Sequence, residues 1–418
     1  MLKVSSFLQL AGLYLFSFCI LLSTAGAHLG LVLILLAGIL NFRSLFESVK
    51  DQPLFYLAMA FLIFILIRQT LVPIYDGGSF SDIKGWIYLS LYWLVGWALA
   101  GNQKRWFIAL GLVFVAFLLR IIINFDMERI ALAMQGGLQP FAFSDSESHI
   151  GFSLYCGTIL LGWIVWRDKI IATLPQGWWR HLIWLIVLMV ILEALVLTNS
   201  RGGWIATVAG VMALGFGKLF TEGKAGIKSH WRMSMSVMGV ILVIGGLNLT
   251  GISNRVTNET AAYETIATGE LDEIPYTSVG LRIYMWRHGI DMWQQKPWLG
   301  WGAGSSAWAM DQAEDKNIHP FPHFHNGYLD VLVQFGIAGI LLFSMTIILI
   351  LLSLWRIYKQ KDNYAGFFWF LLGSFVLAAV WNLTNVAFQH HGFRFYSLFM
   401  MGLLYAVTIQ ATGKRVNG

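Results

Sequence analysis

Runs of about twenty apolar residues recur along most of the chain, the length of helix that crosses a hydrocarbon core about 30 Å thick. In that medium every backbone N–H and C=O must be satisfied within the segment, so such a chain folds as helices. The pattern predicts spans near residues 6–23, 28–41, 54–72, 84–100, 106–124, 149–166, 182–198, 203–219, 233–250, 326–355, 364–381 and 393–411. The expected fold is an all-α integral membrane protein of about twelve transmembrane helices. Composition agrees: 57% of the residues are hydrophobic and 12% are charged, against roughly 25% charged in soluble domains. A net charge of +6 would suit nucleic acid. The basic residues are scattered over short loops with no stripe or motif, however, so the expected surroundings are membrane lipids and no nucleic acid. Cys19 and Cys156 lie inside apolar runs and read as small core residues, neither a disulfide nor a metal pair. The start, Met1-Leu2-Lys3 before an apolar run with no convincing cleavage site, reads as an uncleaved first span.

Lysine and arginine accumulate on the cytoplasmic side of short loops. An inward N-terminus puts 17 of the 28 basic residues inside, with only Glu47, Asp51, Asp168, Glu222 and Asp362 among the acids. Both termini are then cytoplasmic. Two outer segments are long: Arg120–Ile150, ending in the acidic run Ser144–Glu147, and Gly251–His325. The chain divides into helices one to nine over 1–250, a loop domain over 251–325 and helices ten to twelve over 326–418. Loops of that length are usually functional. This one contains an amphipathic stretch, Ser278–Gln294, with Arg282, Met285, Trp286, Gly289 and Trp293 on one helical face. Proline and glycines in Lys296–Gly304 rule out its continuation.

The outer arginines are what the positive-inside rule leaves unexplained. Arg201 lies in a short outer connection, Thr198–Gly203, where the next helix begins. A guanidinium beside helix N–H groups suits a phosphate or diphosphate; an arginine snorkelling to the interface is the alternative. Arg282 shares the tryptophan- and methionine-rich face. Arg287 falls on another face, where Asp291 one turn on offers an ion pair.

Three histidines occur in His319–His325, directly before the span that opens at Gly327. Zinc with Asp311, Glu314 or Asp315 is one reading, but the spacing matches no metal motif and two prolines interrupt it. A general base fits better. His325 stands at a helix start with Asn326 as cap, and the positive end of the dipole favours a neutral imidazole that accepts a proton. An interfacial histidine that only hydrogen-bonds fits the position equally. Glu193 is the carboxylate well inside a span, a placement that is costly and often functional; proton relay, orientation of an arginine and neutral packing all remain open.

Several of these residues together resemble a known signature. Arg282 with Trp286, Pro297–Gly302, His325–Asp330, and Gly336 with Gly339 resemble, in order and position, the bacterial O-antigen ligase superfamily. Thr198–Gly202 resembles its upstream element. The resemblance covers about residues 198–340 by motif, and the whole chain by length, span number and loop placement. It implies a GT-C-type glycosyltransferase with a large helix-containing periplasmic loop, in the bacterial inner membrane, with its active site on the periplasmic face. Such an enzyme transfers polysaccharide from undecaprenyl diphosphate to the lipid A–core oligosaccharide, with no nucleotide sugar, cofactor or metal. His325 takes the place of the essential histidine, and Arg201 and Arg282 those of essential basic residues. The candidate site is thus His325 as base, with Arg201, Arg282, Arg287 and Asn326 for diphosphate and substrate.

The rivals within the superfamily are O-antigen polymerase and protein O-oligosaccharyltransferase. Polymerases tend to have glycine eleven positions after an outer arginine; here Arg201 is followed at that distance by Met212, Arg282 by Trp293 and Arg287 by Trp298. The oligosaccharyltransferases usually carry a longer C-terminal soluble part. A polytopic transporter would more often show paired halves, broken mid-membrane helices and several buried charges. Arg120, Arg129 and Arg394 receive no role from the sequence.

Overall fold

A computed structural model describes residues 2–71, 78, 80–135, 149–385 and 391–411. The acidic run Ser144–Glu147 and the basic pair Lys414 and Arg415 lie outside them. Every element among the described residues is helical. Six helices are long and apolar enough to cross a membrane: Pro53–Thr70, Gln103–Ile123, Trp179–Leu197, Gly327–Lys359, Tyr364–Trp381 and Gly392–Ala411. Two further pairs qualify jointly across a sharp bend, Thr24–Leu40 with Phe42–Val49 (99°) and His149–Val165 with Arg167–Thr173 (75°), which raises the number to eight. The protein is an integral membrane protein.

Three places account for the difference from the twelve expected spans. The first apolar helix, Lys3–Cys19, is short. The 84–100 run breaks at Leu91 into Lys84–Ser90 and Tyr92–Leu99. Gly96 in the second piece lies against the Tyr405 ring, where a Cβ would come within 2.6 Å. The 203–219 and 233–250 runs belong to one helix, Arg201–Leu247. Its polar middle lacks proline, so nothing stops helical hydrogen bonding there.

The chain forms two compact units. The first comprises Met1–Leu119, Glu264–Tyr364 and Asn382–Gly418; the second comprises Arg120–Tyr263 and Ala365–Trp381. In the second, small residues let helices approach closely: a Cβ on Gly210 would meet the Gly373 carbonyl at 2.9 Å. Glu193 lies in this unit, and the Asn248 amide donates to both of its oxygens at 3.1 Å. Cys156 is buried there; Cys19, in the first unit, is half-buried, and both are free.

In the first unit the amphipathic stretch is the helix Ser278–Gln295. Met285 and Met292 pack with Phe324, Leu329 and Val333 in an apolar cluster, and Trp286 and Trp293 rest on its margin. That cluster ties the loop helix to the start of the Gly327–Lys359 helix.

Candidate active site

The tryptophan–glycine motif Pro297–Gly302 is built into a broken helix. Gly336 interrupts Gly327–Lys359 with φ 62° and ψ −159°. The helical bonds that would join Ile337 to Val333 and Ala338 to Gln334 are replaced by four bonds to the motif. Ile337 N–H donates to the Pro297 carbonyl (2.9 Å) and Ala338 N–H to that of Trp298 (3.1 Å). Trp301 N–H donates to the Val333 carbonyl (2.9 Å) and Gly302 N–H to that of Gln334 (2.8 Å). Each of those four backbone groups therefore has a partner, as burial demands. The interlock needs two glycines: a Cβ on Gly300 would lie 2.4 Å from the Gln334 carbonyl carbon, and one on Gly336 2.4 Å from that of Trp298.

Side chains brace the same joint. Gln334, fully buried, donates to Asp330 (2.6 Å) and Ser306 (3.1 Å), and its carbonyl accepts from Gly304 N–H (2.9 Å) and the Trp86 indole (3.3 Å). Ser306 donates to Asp330 at 2.5 Å. From the end of the Pro53–Leu71 helix, Arg68 donates to the carbonyls of Leu299 (2.9 Å) and Gly300 (2.7 Å), and Gln69 accepts from Ala303 N–H (3.2 Å). Lys296 stands 4.0 Å over the Trp301 ring; burial, and secondarily the nearby Arg68, pulls its pKa below the ordinary lysine value. Sequence reasoning passed over Arg68, Ser306 and Gln334. A cation in the last turn of an apolar span was the available signal.

This joint fixes the helix start that carries His325. Asn326 is the N-cap, its Oδ1 accepting from Tyr328 N–H (3.0 Å) and Leu329 N–H (3.1 Å). His325, half-buried, adopts φ 49°. The His323 ring lies edge-on to it at 4.4 Å and the Phe321 ring at 5.6 Å. His319 is engaged elsewhere, with Nε2 2.8 Å from the Ala313 carbonyl. Among the described residues no group of three or more His, Cys, Asp or Glu side chains could hold a metal.

Arg201 stands at a second helix start of the same design. Ser200 is the N-cap and accepts from Gly203 N–H (3.2 Å), and Asn199 before it has φ 50°. Among the described residues, Asn199 and His325 are the two non-glycine residues with positive φ. Each precedes the cap of a helix that carries a candidate residue. Arg201 donates to Glu259 at 2.7 Å, and that carboxylate is 5% exposed. Sequence reasoning missed this partner. Arg201→Ala should lower stability by about 1.5–3 kcal/mol, because a buried carboxylate loses a charge-assisted hydrogen bond. Glu259→Gln in the same chain should restore thermal stability but not function, which separates the two roles.

The remaining arginines differ in setting. Arg282 is half-buried on the helix face that carries Met285 and donates to the Ser278 carbonyl (2.9 Å) and hydroxyl (2.7 Å). Arg287 is exposed and pairs with Asp272 at 2.6 Å, not with Asp291. The turn before the helix folds back over it: the Tyr284 hydroxyl donates to the Ile274 carbonyl (2.8 Å), which holds Asp272 in reach. His325, Asn326, Arg282 and Arg287 all belong to the first compact unit; Arg201 belongs to the second.

No curated protein matches the chain. Residues 184–344 do match a family model described as O-antigen ligase, a segment that contains Arg201, Arg282, Arg287, His325 and both interlocking glycines. Over those residues, fewer than half of the chain, the sequence is similar to the O-antigen ligase family.

Proposed function

We propose that the protein is an O-antigen ligase with a GT-C-type fold, working at the periplasmic face of the bacterial inner membrane. The donor is a glycan on undecaprenyl diphosphate and the acceptor a hydroxyl of lipid A–core oligosaccharide. Its diphosphate leaving group already activates the donor, so the enzyme has two tasks: to remove the acceptor proton and to hold the departing charge. His325 takes the hydroxyl proton. The acceptor oxygen forms its bond to the anomeric carbon as the bond to the phosphate oxygen breaks on the opposite face, which inverts the centre. Arg201 and Arg282 stabilise the undecaprenyl diphosphate that leaves; Arg287 and Asn326 complete the substrate-binding set, Asn326 through its hold on the helix start.

The observation that carries this reading is His325 itself. It is a non-glycine residue kept at φ 49° beside a capped helix start, inside the matched segment. Backbone strain of this kind persists where surroundings over-determine it, and it clusters at active sites.

The test is transfer by the purified full-length protein from undecaprenyl-diphosphate-linked glycan to rough lipopolysaccharide, with chelator present. The expected product is glycan-capped lipopolysaccharide at the rate seen without chelator. Elongation of the lipid-linked glycan with no transfer to lipopolysaccharide would make the protein a polymerase instead.

A further inference from the structure

Glu193 is an intramembrane carboxylate that the proposed reaction leaves unused. It stands one turn before the end of the Trp179–Leu197 helix, and its partner is Asn248, at the close of the Arg201–Leu247 helix. The Asn248 amide donates to both Glu193 oxygens and to the Ile244 carbonyl, each at 3.1 Å. Asn248 is 2% exposed. A polar side chain buried so deeply is costly unless it is bonded, so the pair acts as a clasp.

The chain beyond this clasp leads to Arg201. From Asn248 the helix Leu249–Thr257 runs toward Glu259, whose carboxylate accepts from the Arg201 guanidinium at 2.7 Å. Two more amides fix the pair from either side. The Asn254 amide donates to the Gln135 carbonyl (3.3 Å), and that of Asn199, just ahead of Arg201, to the Ala133 carbonyl (3.2 Å). Both acceptors lie at the end of the Met127–Met134 helix, where carbonyls lack helical partners. The Trp204 indole, in the first turn after Arg201, donates to the Leu195 carbonyl at 3.0 Å. Arg201 is thus held through Asn199 and Trp204, and Glu259 through Asn248 and Asn254. All of these residues belong to the second compact unit.

We propose, on the reading of Arg201 as a diphosphate-binding residue, that Glu193 is a positioning residue for it. By holding Asn248, Glu193 sets the start of the segment that brings Glu259 to the guanidinium. Arg201 keeps 21% of its side chain exposed, so ligand oxygens reach a group already pinned, and less freedom is lost on binding. Glu193 does this as a hydrogen-bonding group and not as a charge. Among the described residues the buried Asn248 Oδ1 has no donor. A neutral partner at position 193, a protonated carboxyl or a glutamine amide, supplies one while its own oxygen still accepts from Asn248. A proton relay would instead need an ionisable group there.

The experiment measures binding of undecaprenyl diphosphate to the full-length protein in phosphatidylcholine nanodiscs by native mass spectrometry, with the melting temperature alongside. Glu193→Leu should weaken binding by about tenfold or more at a near-parental melting temperature, because leucine suits a membrane-spanning position. Glu193→Gln should bind within about twofold of the parent. Arg201→Lys keeps a charge but loses the planar fork; in that chain Glu193→Leu should cost less than about twofold, since its effect runs through the guanidinium. Asn254→Ala, at an exposed position of the same segment, should also weaken binding, and it replaces Glu193→Leu if that variant does not fold. Parental binding by the folded variant of these two would overturn the proposal. So would a tenfold loss in folded Glu193→Gln, or an undiminished effect of Glu193→Leu beside Arg201→Lys. A parent that binds no undecaprenyl diphosphate would instead overturn the reading of Arg201, and the positioning role with it.

Discussion

His325→Asn should leave the protein folded while transfer falls by about 10²–10⁴, the usual contribution of a positioned general base. Two physical effects separate in this one variant. A left-handed backbone costs a residue with a Cβ roughly 1–2 kcal/mol, and asparagine tolerates it better than most because its short side chain bonds locally. His325 stands at φ 49°, so asparagine should keep or raise the melting temperature, by up to about 1 kcal/mol of stability. A histidine that only packed would behave otherwise, since its replacement would lower stability and leave chemistry intact. His323→Gln is the matched control: its ring lies 4.4 Å away, and its loss should lower transfer far less. Normal glycan attachment by His325→Asn would remove the base from the mechanism.

Gly336→Ala and Gly300→Ala should each be severely destabilising, on the order of 4 kcal/mol or more, the range reserved for core disruption and backbone strain. The added Cβ would lie 2.4 Å from a backbone carbonyl carbon in both cases, and backbone cannot swing aside as a side-chain end does. Positive φ, 62° at Gly336 and 61° at Gly300, adds the left-handed penalty. Loss of monodisperse protein on size exclusion, or a fall of many degrees in unfolding temperature, is the readout. Gly111→Ala is the control: nothing lies within 4 Å of its Cβ, and alanine in a helix interior should stabilise by about 1 kcal/mol. If the three variants unfold alike, the interlock is not what holds the motif.

What the sequence made legible was what local rules govern. The helix Ser278–Gln295 was readable because its apolar period and the proline–glycine stop beyond it are both local, and the cap at Asn326 follows from residue type. Glu259, 58 residues from Arg201, and Asp272 behind Arg287 were not readable, because ion pairs between distant segments leave no periodic trace. The i, i+4 rule pointed Arg287 to Asp291, but a turn held by Tyr284 brought a nearer carboxylate. Continuity of the Arg201–Leu247 helix was missed for another reason: a charged stretch between apolar runs reads as a turn, yet charge alone does not end a helix without proline or a cap. The tryptophan–glycine motif was legible as a signature while its work was not. The interlocking glycines serve backbone contacts between segments more than 30 residues apart, which only a fold reveals (Gly300 against Gln334, Gly336 against Trp298).

The broken helix has a mechanical corollary. Because the loop supplies partners to both lips of the gap at Gly336, the short opening piece Gly327–Phe335 is spliced to the loop by backbone hydrogen bonds at Val333 and Gln334. Tilting of the long piece beyond the gap as bilayer thickness changes should flex there and leave the imidazole's mounting undisturbed.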